Sequence, residues 1–487
     1  MSSPLQQERD RFDVVVIGGG PGGYVAGIRA AQHGLKVAVV ERADLGGVCA
    51  NWGCIPTKAM LHGADVAHAI DTASEYGFGV TQNSFDMAGL VTFSRKVVSR
   101  LTTGIAGLLS ANGVEVIPGT AYIPAKGHVQ VTSDAGVRDV RADHIIVATG
   151  ARPRSIPGVT PDGDRIWTST DALRPETRPA SLLVIGSGAI GVEFASLYRD
   201  LGSEVTLVEY ADRILPVEDA EVSAFVAKQF TARGIRVEVG ARIASVVASE
   251  GGVETVFTTA QGAEVTVVSE RVLVATGISP NSEGLGLEEL GAEISRGFIT
   301  TDAHCRTTVA GIYAIGDVAG GPCLAHKASH EALICVDTIA GEPHVVPLER
   351  DFVPGCTYSR PQVASIGYTE QQAKEKGRTI NVGRFDLSGN GKAIALGEPT
   401  GFVKTVFDAE TGELLGAHLV GPEVTEMIQG LGIARSLEAT AESLAEVVFA
   451  HPTVSEAIHE SVLDSMGRAL HWPPRRPAAA PAVGVPV

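Results

Sequence analysis

Positive charge, cysteine and long apolar runs are scarce in this chain of 487 residues. Its 39 basic residues stand against 56 acidic ones, a formal charge of −17. A surface so acidic argues against nucleic acid and anionic membrane as partners. No uninterrupted apolar run approaches the roughly 20 residues of a helical membrane span. The opening stretch, MSSPLQQERDRFD, lacks the apolar core of a secretory signal and is too acidic for an organelle transit peptide. The expected location is therefore the cytoplasm. Of the six cysteines, Cys305, Cys323, Cys335 and Cys356 are scattered and are expected to be buried free thiols. Cys49 and Cys54 lie close together in GGVCANWGCIPTKAM. Where glutathione and thioredoxin reduce structural disulfides, such a pair points to a catalytic couple or a metal site rather than a staple. Metal sites usually need four ligands, commonly with C-x-x-C spacing. No second pair exists to complete one, so no metal is expected.

Glycine, by contrast, is plentiful at 57 residues, which points to tight turns and close backbone approaches to ligands. The composition, 20% charged and 44% hydrophobic, is that of a globular protein. The length suggests about three domains of roughly 150 residues.

The first folded element is expected to be a strand over residues 12–17, followed by GGGPGG with Gly18, Gly20 and Gly23 in a G-x-G-x-x-G pattern. A helix over 22–33 and a strand over 36–40 would then deliver Glu41. In such a unit the first glycine makes the tight turn, the second admits a pyrophosphate, and the third lets helix and strand pack. The phosphates sit at the helix N-terminus, where free N–H groups and the dipole favour negative charge. Glu41 would accept hydrogen bonds from a ribose. The unit recurs as a strand over 182–185, GSGAIG with Gly186, Gly188 and Gly191, and a strand over 204–208 ending at Glu209. Each acid follows its first glycine by 23 positions, and HIIVATGARP and RVLVATGISP extend the repetition. Two such units imply two dinucleotides on one chain, and electron transfer between them. An acid at Glu209 bonds a free 2′-hydroxyl and repels a 2′-phosphate, favouring NAD over NADP, although Arg213 stands close enough to offset it.

In TTVAGIYAIGDVAGG, an apolar strand over 311–315 runs into Gly316-Asp317, an acid placed to bond sugar or ribityl hydroxyls or to form an Asx turn. From about Asp351 the pattern changes to α+β, with strands in CTYSRPQVASIG, a capping box over Thr369–Gln372, strands over 401–407 and 413–420, and helices to Leu470. The closing stretch, WPPRRPAAAPAVGVPV, is Pro/Ala-rich and is expected to be a disordered tail.

Residues five apart on an ideal helix stand about 7.5 Å apart along its axis, and a disulfide wants Cα atoms about 4.4–6.8 Å apart. The Cys49–Cys54 segment must therefore bend, which Gly53 eases. Pro56 suits the first turn of a helix, so Cys54 would lie near a helix N-terminus, where the dipole and Lys58 favour a thiolate. Thiol chemistry also needs a base. His451, held out of helix by Pro452, is the best placed, with His459 and His471 as competitors. Glu456 would orient its imidazole, cap a helix from Thr453, or both.

GGVCANWGCIPTKAM, the two glycine fingerprints, YAIGDV, LAHKA and HPTVSE occur in the order of the pyridine nucleotide–disulfide oxidoreductases, a family the chain resembles over about residues 12–471. The resemblance implies an α/β fold of two Rossmann-like dinucleotide-binding domains plus a C-terminal α+β dimerisation domain. The segments expected are 1–155 and 285–350 for the FAD domain, 156–284 for the NAD domain, 351–471 for the interface domain and 472–487 for the tail. It implies FAD held by Gly18, Gly20, Gly23, Glu41, Lys58, Gly150, Asp317 and Ala325, and NAD held by Gly186, Gly188, Gly191, Glu209 and Gly277. The helix starting near His326 would aim its N-terminus at the flavin. Cys49 becomes the thiol attacked by substrate and Cys54 the thiolate on the flavin. Lys58 and Glu193 lie near the flavin–nicotinamide junction, and His451 and Glu456 form an acid–base pair contributed by the partner of a homodimer. Within the family, LAHKA, CTYSRPQVASIG and Glu209 favour the activity that oxidises protein-bound dihydrolipoamide with NAD⁺. Its partners are lipoyl domains of 2-oxoacid dehydrogenase complexes or a lipoylated glycine-cleavage protein. The rival is an NADPH-dependent relative reducing glutathione disulfide. Relatives that need extra C-terminal cysteines are disfavoured, since none follows Cys356. Ala50, Trp52 and Thr57 depart from the family's loop, but none is a reacting group.

Overall fold

The computed structural model describes residues 10–80 and 84–473. All but Trp472 and Pro473 of the expected tail, and most of the opening stretch, lie outside them. The chain divides into two compact units. One holds the chain up to Gly186 with Leu197–Val208 and Arg242–Arg350; the other holds Ser187–Ser196, Glu209–Ala241 and the chain from Asp351 on.

In the first unit, strand Arg11–Ile17 pairs in parallel with Val37–Glu41 on one side and Gly136–Val147 on the other. The run of valines fits a strand covered on both faces. Val15, Ile17, Ala38, Val40, Ile145 and Val147 enter one apolar cluster, while Val14, Val16, Val37, Val39 and Ile146 enter another. Successive side chains point to opposite faces, so one strand feeds two cores. Ile312–Ala314 adds in parallel to Gly136–Val147, so this sheet draws strands from stretches far apart in the chain. Helix Pro21–Gln32 carries proline in its first turn, where the missing N–H costs nothing. It packs close because it presents glycine: a Cβ at Gly27 would stand 2.8 Å from Val39.

The second repeat also forms in parallel order. Ser181–Ile185 lies between Glu204–Val208 and Arg271–Val274. Ile185 pairs with Val274 as Ile17 pairs with Val147, so the two VATG stretches leave equivalent strand ends. A three-stranded antiparallel meander over Arg242–Ser249, Gly252–Thr258 and Glu264–Ser269 precedes the last of these.

In the second unit a five-stranded antiparallel sheet runs in the order Gly355–Thr357, Gln362–Gly367, Leu414–Gly421, Phe402–Asp408, Ile380–Asp386. Thr369 and Gln372 form the expected capping box. Helices Val424–Ser436 and Glu456–Ser465 share an apolar cluster with the sheet. The second of them approaches the strand backbone very closely at Gly383, where a Cβ would meet the Ser461 carbonyl at 1.7 Å. Among the described residues no helix is long and apolar enough to cross a membrane, and no group of three or more His, Cys, Asp or Glu side chains is placed to hold a metal.

Candidate active site

The two cysteines sit on either side of a helix break. Cys49 belongs to the short helix Gly47–Trp52, and Cys54 opens helix Cys54–Thr72. Gly53, at φ −143° and ψ −109°, makes the break. Pro56 falls in the first turn of the second helix, and Thr57 ties that turn back through its N–H and Oγ1 to the Gly53 carbonyl. Both cysteines are half-buried free thiols rather than a closed disulfide. The Cys49 thiol is pushed far above the ordinary thiol range, first by its hydrogen bond to Cys54, then by burial and the charge of Cys54; Lys58 and a Cys54 backbone contact pull the other way. Cys49 therefore holds its proton more tightly than an ordinary thiol. The other four cysteines are free as expected, but only Cys305 and Cys335 are buried. Cys323 and Cys356 are half-buried, a correction: Cys323 lies in the stretch before helix Ala325–Ala340, and Cys356 lies on the edge strand Gly355–Thr357, against the margin of an apolar cluster.

Sequence reasoning missed what holds this hairpin. Asn51, buried, donates from Nδ2 to the carbonyls of Leu45 and Gly47. Arg95 donates to the Asn51 carbonyl and also lies over the Trp52 ring, 4.3 Å from its centroid. A side-chain amide inside a helix that satisfies carbonyls on its N-terminal side is a recurrent local device, and nothing in the sequence pattern marked Asn51 for it.

The first glycine turn lies a few residues upstream. Gly18 has φ +108°, and a Cβ there would stand 2.3 Å from the Ala148 carbonyl oxygen. A Cβ at Gly23 would stand 1.7 Å from the Gly18 carbonyl oxygen. Gly20 caps helix Pro21–Gln32 with extended backbone and no side-chain hydrogen bond, so the helix offers its first N–H groups to an outside acceptor. Glu41 receives the Gly19 N–H at 2.7 Å and the Ala43 N–H at 2.8 Å. Each carboxylate oxygen accepts more than one bond, so hydroxyls remain within its capacity. A cavity of about 300 Å³ beside it is lined by Gly18, Glu41, Gly119, Thr149, Arg152 and Asn281, among others. Thr149 and Asn281 bond each other's backbone carbonyls at 2.6 and 3.0 Å. Thr149 belongs to the first VATG stretch, and Asn281 lies four residues past the second, whose sequence signals were Gly150 and Gly277. Both of those glycines have left-handed backbone, φ +66° and +105°. The Cβ-free turn, uncapped helix end, acid and cavity fit a dinucleotide.

Asp317 lies in the single turn Gly316–Ala319 that follows strand Ile312–Ala314. Burial raises its carboxyl above the usual range against the pull of Lys327. Ala325 opens helix Ala325–Ala340, again without a side-chain cap.

At the second repeat, Gly186 has φ +98° and a Cβ there would stand 2.5 Å from the Ala275 carbonyl oxygen. Gly188 and Gly191 fall at the start of helix Ala189–Asp200. Glu209 receives the Ser187 N–H and hydroxyl, each at 2.7 Å, and the Ala211 N–H at 2.7 Å. Arg213 donates to the Pro216 carbonyl at 3.2 Å. Glu193, buried on the same helix, accepts the Tyr358 N–H at 2.9 Å.

His451 sits in a bend before helix Glu456–Ser465, its side chain 77% exposed. Its Nδ1 meets Glu456 Oε1 at 2.9 Å, and Glu456 Oε2 accepts the Thr453 N–H at 2.9 Å. Burial opposes the Glu456 charge, but the Thr453 N–H and His451 prevail and hold its carboxyl below the usual range. The expected helix start at Thr453 is corrected: the helix begins at Glu456, and the Thr453 hydroxyl donates to the Ala450 carbonyl instead of capping. Asn390 donates to the Thr453 carbonyl at 3.1 Å and steadies the loop. Of the competing histidines, His459 stacks on Phe449 and bonds the Ala445 carbonyl. His471 pairs through Nδ1 with the buried Glu460 at 2.7 Å.

Residues 12–332 match the family described as pyridine nucleotide-disulphide oxidoreductase, and residues 353–462 match its dimerisation domain. The chain is 52% identical over 464 residues to a dihydrolipoyl dehydrogenase of Zymomonas mobilis, covering 95% of this chain and 100% of that one. It is 49% identical over 479 residues to a dihydrolipoyl dehydrogenase of Rhizobium etli, covering 95% and 99%. Among solved structures, LpdA from Mycobacterium tuberculosis superimposes with a TM-score of 0.86 at 30% identity, covering 93% of this chain and 98% of that one. The HOCl-induced flavoprotein disulfide reductase RclA from Escherichia coli does so at 0.82 and 27%, covering 92% and 99%. The chain belongs to the pyridine nucleotide-disulphide oxidoreductase family.

Proposed function

We propose that the chain acts as a dihydrolipoyl dehydrogenase, oxidising protein-bound dihydrolipoamide to lipoamide and reducing NAD⁺ to NADH. The observation that carries the reading is the Cys49–Cys54 pair, two thiols on either side of a helix break in the unit that holds the first glycine turn. The family uses FAD and takes the pyridine nucleotide as a substrate. In this chain Gly18, Gly20, Gly23, Glu41, Lys58, Gly150, Asp317 and Ala325 would hold FAD. Gly186, Gly188, Gly191, Glu209 and Gly277 would receive NAD⁺, and Lys58 and Glu193 would flank the junction. Bound FAD supplies the redox link that passes two electrons from the cysteine pair to NAD⁺ as a hydride.

The chain's own residues do the thiol chemistry. In the oxidised enzyme the two cysteines form a disulfide. His451 takes a proton from one thiol of dihydrolipoamide, and the thiolate attacks Cys49 Sγ. A mixed disulfide forms and Cys54 leaves as thiolate, its charge favoured by the helix N-terminus and Lys58. The second substrate thiol then attacks the mixed disulfide at the substrate sulfur, its proton passing to Cys49, which leaves as a thiol while His451 keeps the first proton. Lipoamide departs and the enzyme pair is reduced by two electrons. Glu456 holds the His451 tautomer and stabilises the imidazolium.

The dimerisation domain supports a homodimer in which the His451–Glu456 pair of one subunit serves the cysteine pair of the other. The proposed partners are lipoyl domains of 2-oxoacid dehydrogenase complexes or a lipoylated glycine-cleavage protein, and the proposed location is the cytoplasm. The proposed division is 1–155 with 285–350 for FAD, 156–284 for NAD, and 351–471 for the interface. The glutathione-reducing alternative is disfavoured because Glu209 would meet the ribose and repel a 2′-phosphate, while Arg213 is engaged with the Pro216 carbonyl. The deciding experiment sets steady-state NAD⁺ reduction by dihydrolipoamide beside NADPH oxidation by glutathione disulfide. The first should be fast and ping-pong, and abolished by Cys49→Ser; turnover surviving that substitution would sink the assignment.

A further inference from the structure

A lysine is almost never fully buried unless paired. Lys327 is 1% exposed, in the first turn of helix Ala325–Ala340. Its Nζ meets Glu331 Oε2 at 3.0 Å, the Gly316 carbonyl at 3.0 Å and the Gly320 carbonyl at 2.6 Å. An ammonium has three protons to donate, and all three have acceptors. Glu331, 3% exposed one turn further on, also accepts the Gly316 N–H at 2.8 Å through the same oxygen. Its other oxygen receives Arg350 at 3.2 Å. The two side chains thus grip both peptide groups of Gly316, the residue with φ +75° where the strand ends, and Lys327 grips Gly320 at the far end of the turn. Between the grips lies Asp317.

We propose that Lys327, together with Glu331, is a positioning residue for Asp317: the pair clamps the Gly316–Gly320 turn at both ends and sets where the Asp317 carboxylate stands toward the dinucleotide of the first unit. The inference rests on the FAD reading above. Two glycines with left-handed backbone, Gly316 and Gly320 at +75° and +99°, leave the turn free to adopt other conformations. Side-chain hydrogen bonds to its ends remove that freedom. An ion pair that only fastened the helix to the core would meet Glu331 alone; Lys327 spends two of its three donors on the turn.

The test titrates FAD into apoprotein of the native chain, Lys327→Met, Asp317→Asn and the double variant, following flavin fluorescence and visible absorption, with the apoprotein Tm measured alongside. Lys327→Met should weaken FAD binding by about tenfold to a hundredfold, the range expected for losing a hydrogen bond to a charged group. Its flavin absorption bands should shift. The double variant should bind no worse than the weaker single one, because both substitutions remove the same contact. Unchanged FAD affinity in Lys327→Met with only a lower Tm, or losses that multiply in the double variant, would overturn the inference. Should Lys327→Met fail to fold, Glu331→Gln keeps an acceptor for the Gly316 N–H while removing the ion pair, and is judged by the same criteria. Arg350→Met removes only the outer partner of Glu331 and should leave FAD affinity unchanged; a loss equal to that of Lys327→Met would assign the effect to the ion pair and not to the clamp. Native apoprotein that bound no FAD would overturn the cofactor reading itself, a result distinct from unchanged affinity in the variant.

Discussion

The two glycine turns solve the same backbone problem in the same way and then differ in what covers them. Gly18 and Gly186 both hold left-handed backbone against the carbonyl of the alanine in a VATG stretch, Ala148 and Ala275. Glu41 and Glu209 both fold back onto the residue after that glycine, each 2.7 Å from its N–H. The surroundings part company. A Cβ on Gly19 would meet Leu45 at 2.8 Å, and one on Gly47 would meet the Gly20 Cα at 2.8 Å. The stretch leading into the cysteine helices therefore roofs the first turn. A Cβ on Gly188 would meet nothing within 4 Å. A roofed turn suits a group that stays through every catalytic cycle, and an open one suits a group that must enter and leave. On the proposed function, this difference in local geometry would separate a resident cofactor from an exchanging substrate, although the two fingerprints are nearly identical as sequence.

The strongest way to break this comparison is to damage both turns equally. Gly18→Ala and Gly186→Ala each force a side chain into left-handed backbone and onto a carbonyl, costing at least about 1 kcal/mol for the backbone alone and about 1–3 kcal/mol more for the overlap. Gly18→Ala should lose its flavin on gel filtration. Gly186→Ala should suffer a similar fall in Tm yet keep its yellow colour, with a raised KM for NAD⁺. Flavin loss from both variants would mean that the turns are not functionally separate.

A smaller effect is expected from the acids. Glu41→Gln should weaken FAD binding, and Glu209→Gln should raise the KM for NAD⁺, each by about tenfold or more as a charged acceptor is lost. Glu209→Gln should also narrow the preference for NAD⁺ over NADP⁺, because a neutral side chain no longer repels a 2′-phosphate. Kinetics with both nucleotides, beside flavin content measured by absorbance, separate the two outcomes. If Glu209→Gln left the nucleotide preference unchanged, the discrimination would have to come from elsewhere in the second unit.

Both turns were legible in the sequence because Gly18, Gly23 and Gly186 answer constraints only glycine meets. A Cβ at Gly23 would meet the Gly18 carbonyl at 1.7 Å, and the pattern G-x-G-x-x-G records that contact. The strand and helix bounds differ from expectation by only a residue or so, as at Arg11–Ile17 and Pro21–Gln32. His451 and Glu456 were legible for a local reason, since Pro452 and the five-residue spacing keep them neighbours. The helix start was not: it depended on whether the Thr453 hydroxyl turned forward to cap or back to Ala450. Contacts made by the folded chain left no periodic trace. Glu460 receives His471 from eleven residues away, and Lys327 looks like any other helical lysine until Gly316 and Gly320 are brought beneath it. Such pairings are settled by which elements pack together, which hydrophobic patterning restricts only coarsely.

The finest test of the comparison is Gly188→Ala. Its backbone is not left-handed and its Cβ would face open space, so the fold has no reason to object, and stability should stay within about 0.5 kcal/mol of native, leaving Tm nearly unchanged. The second glycine of the fingerprint is there to let a pyrophosphate approach the backbone closely, and a methyl group obstructs only that. The KM for NAD⁺ should rise severalfold while kcat at saturating NAD⁺, flavin content and Tm hold. If instead Tm fell or flavin were released, the second turn would be packed against something the open geometry does not reveal, and the distinction between a roofed and an open turn would fail at its own defining position.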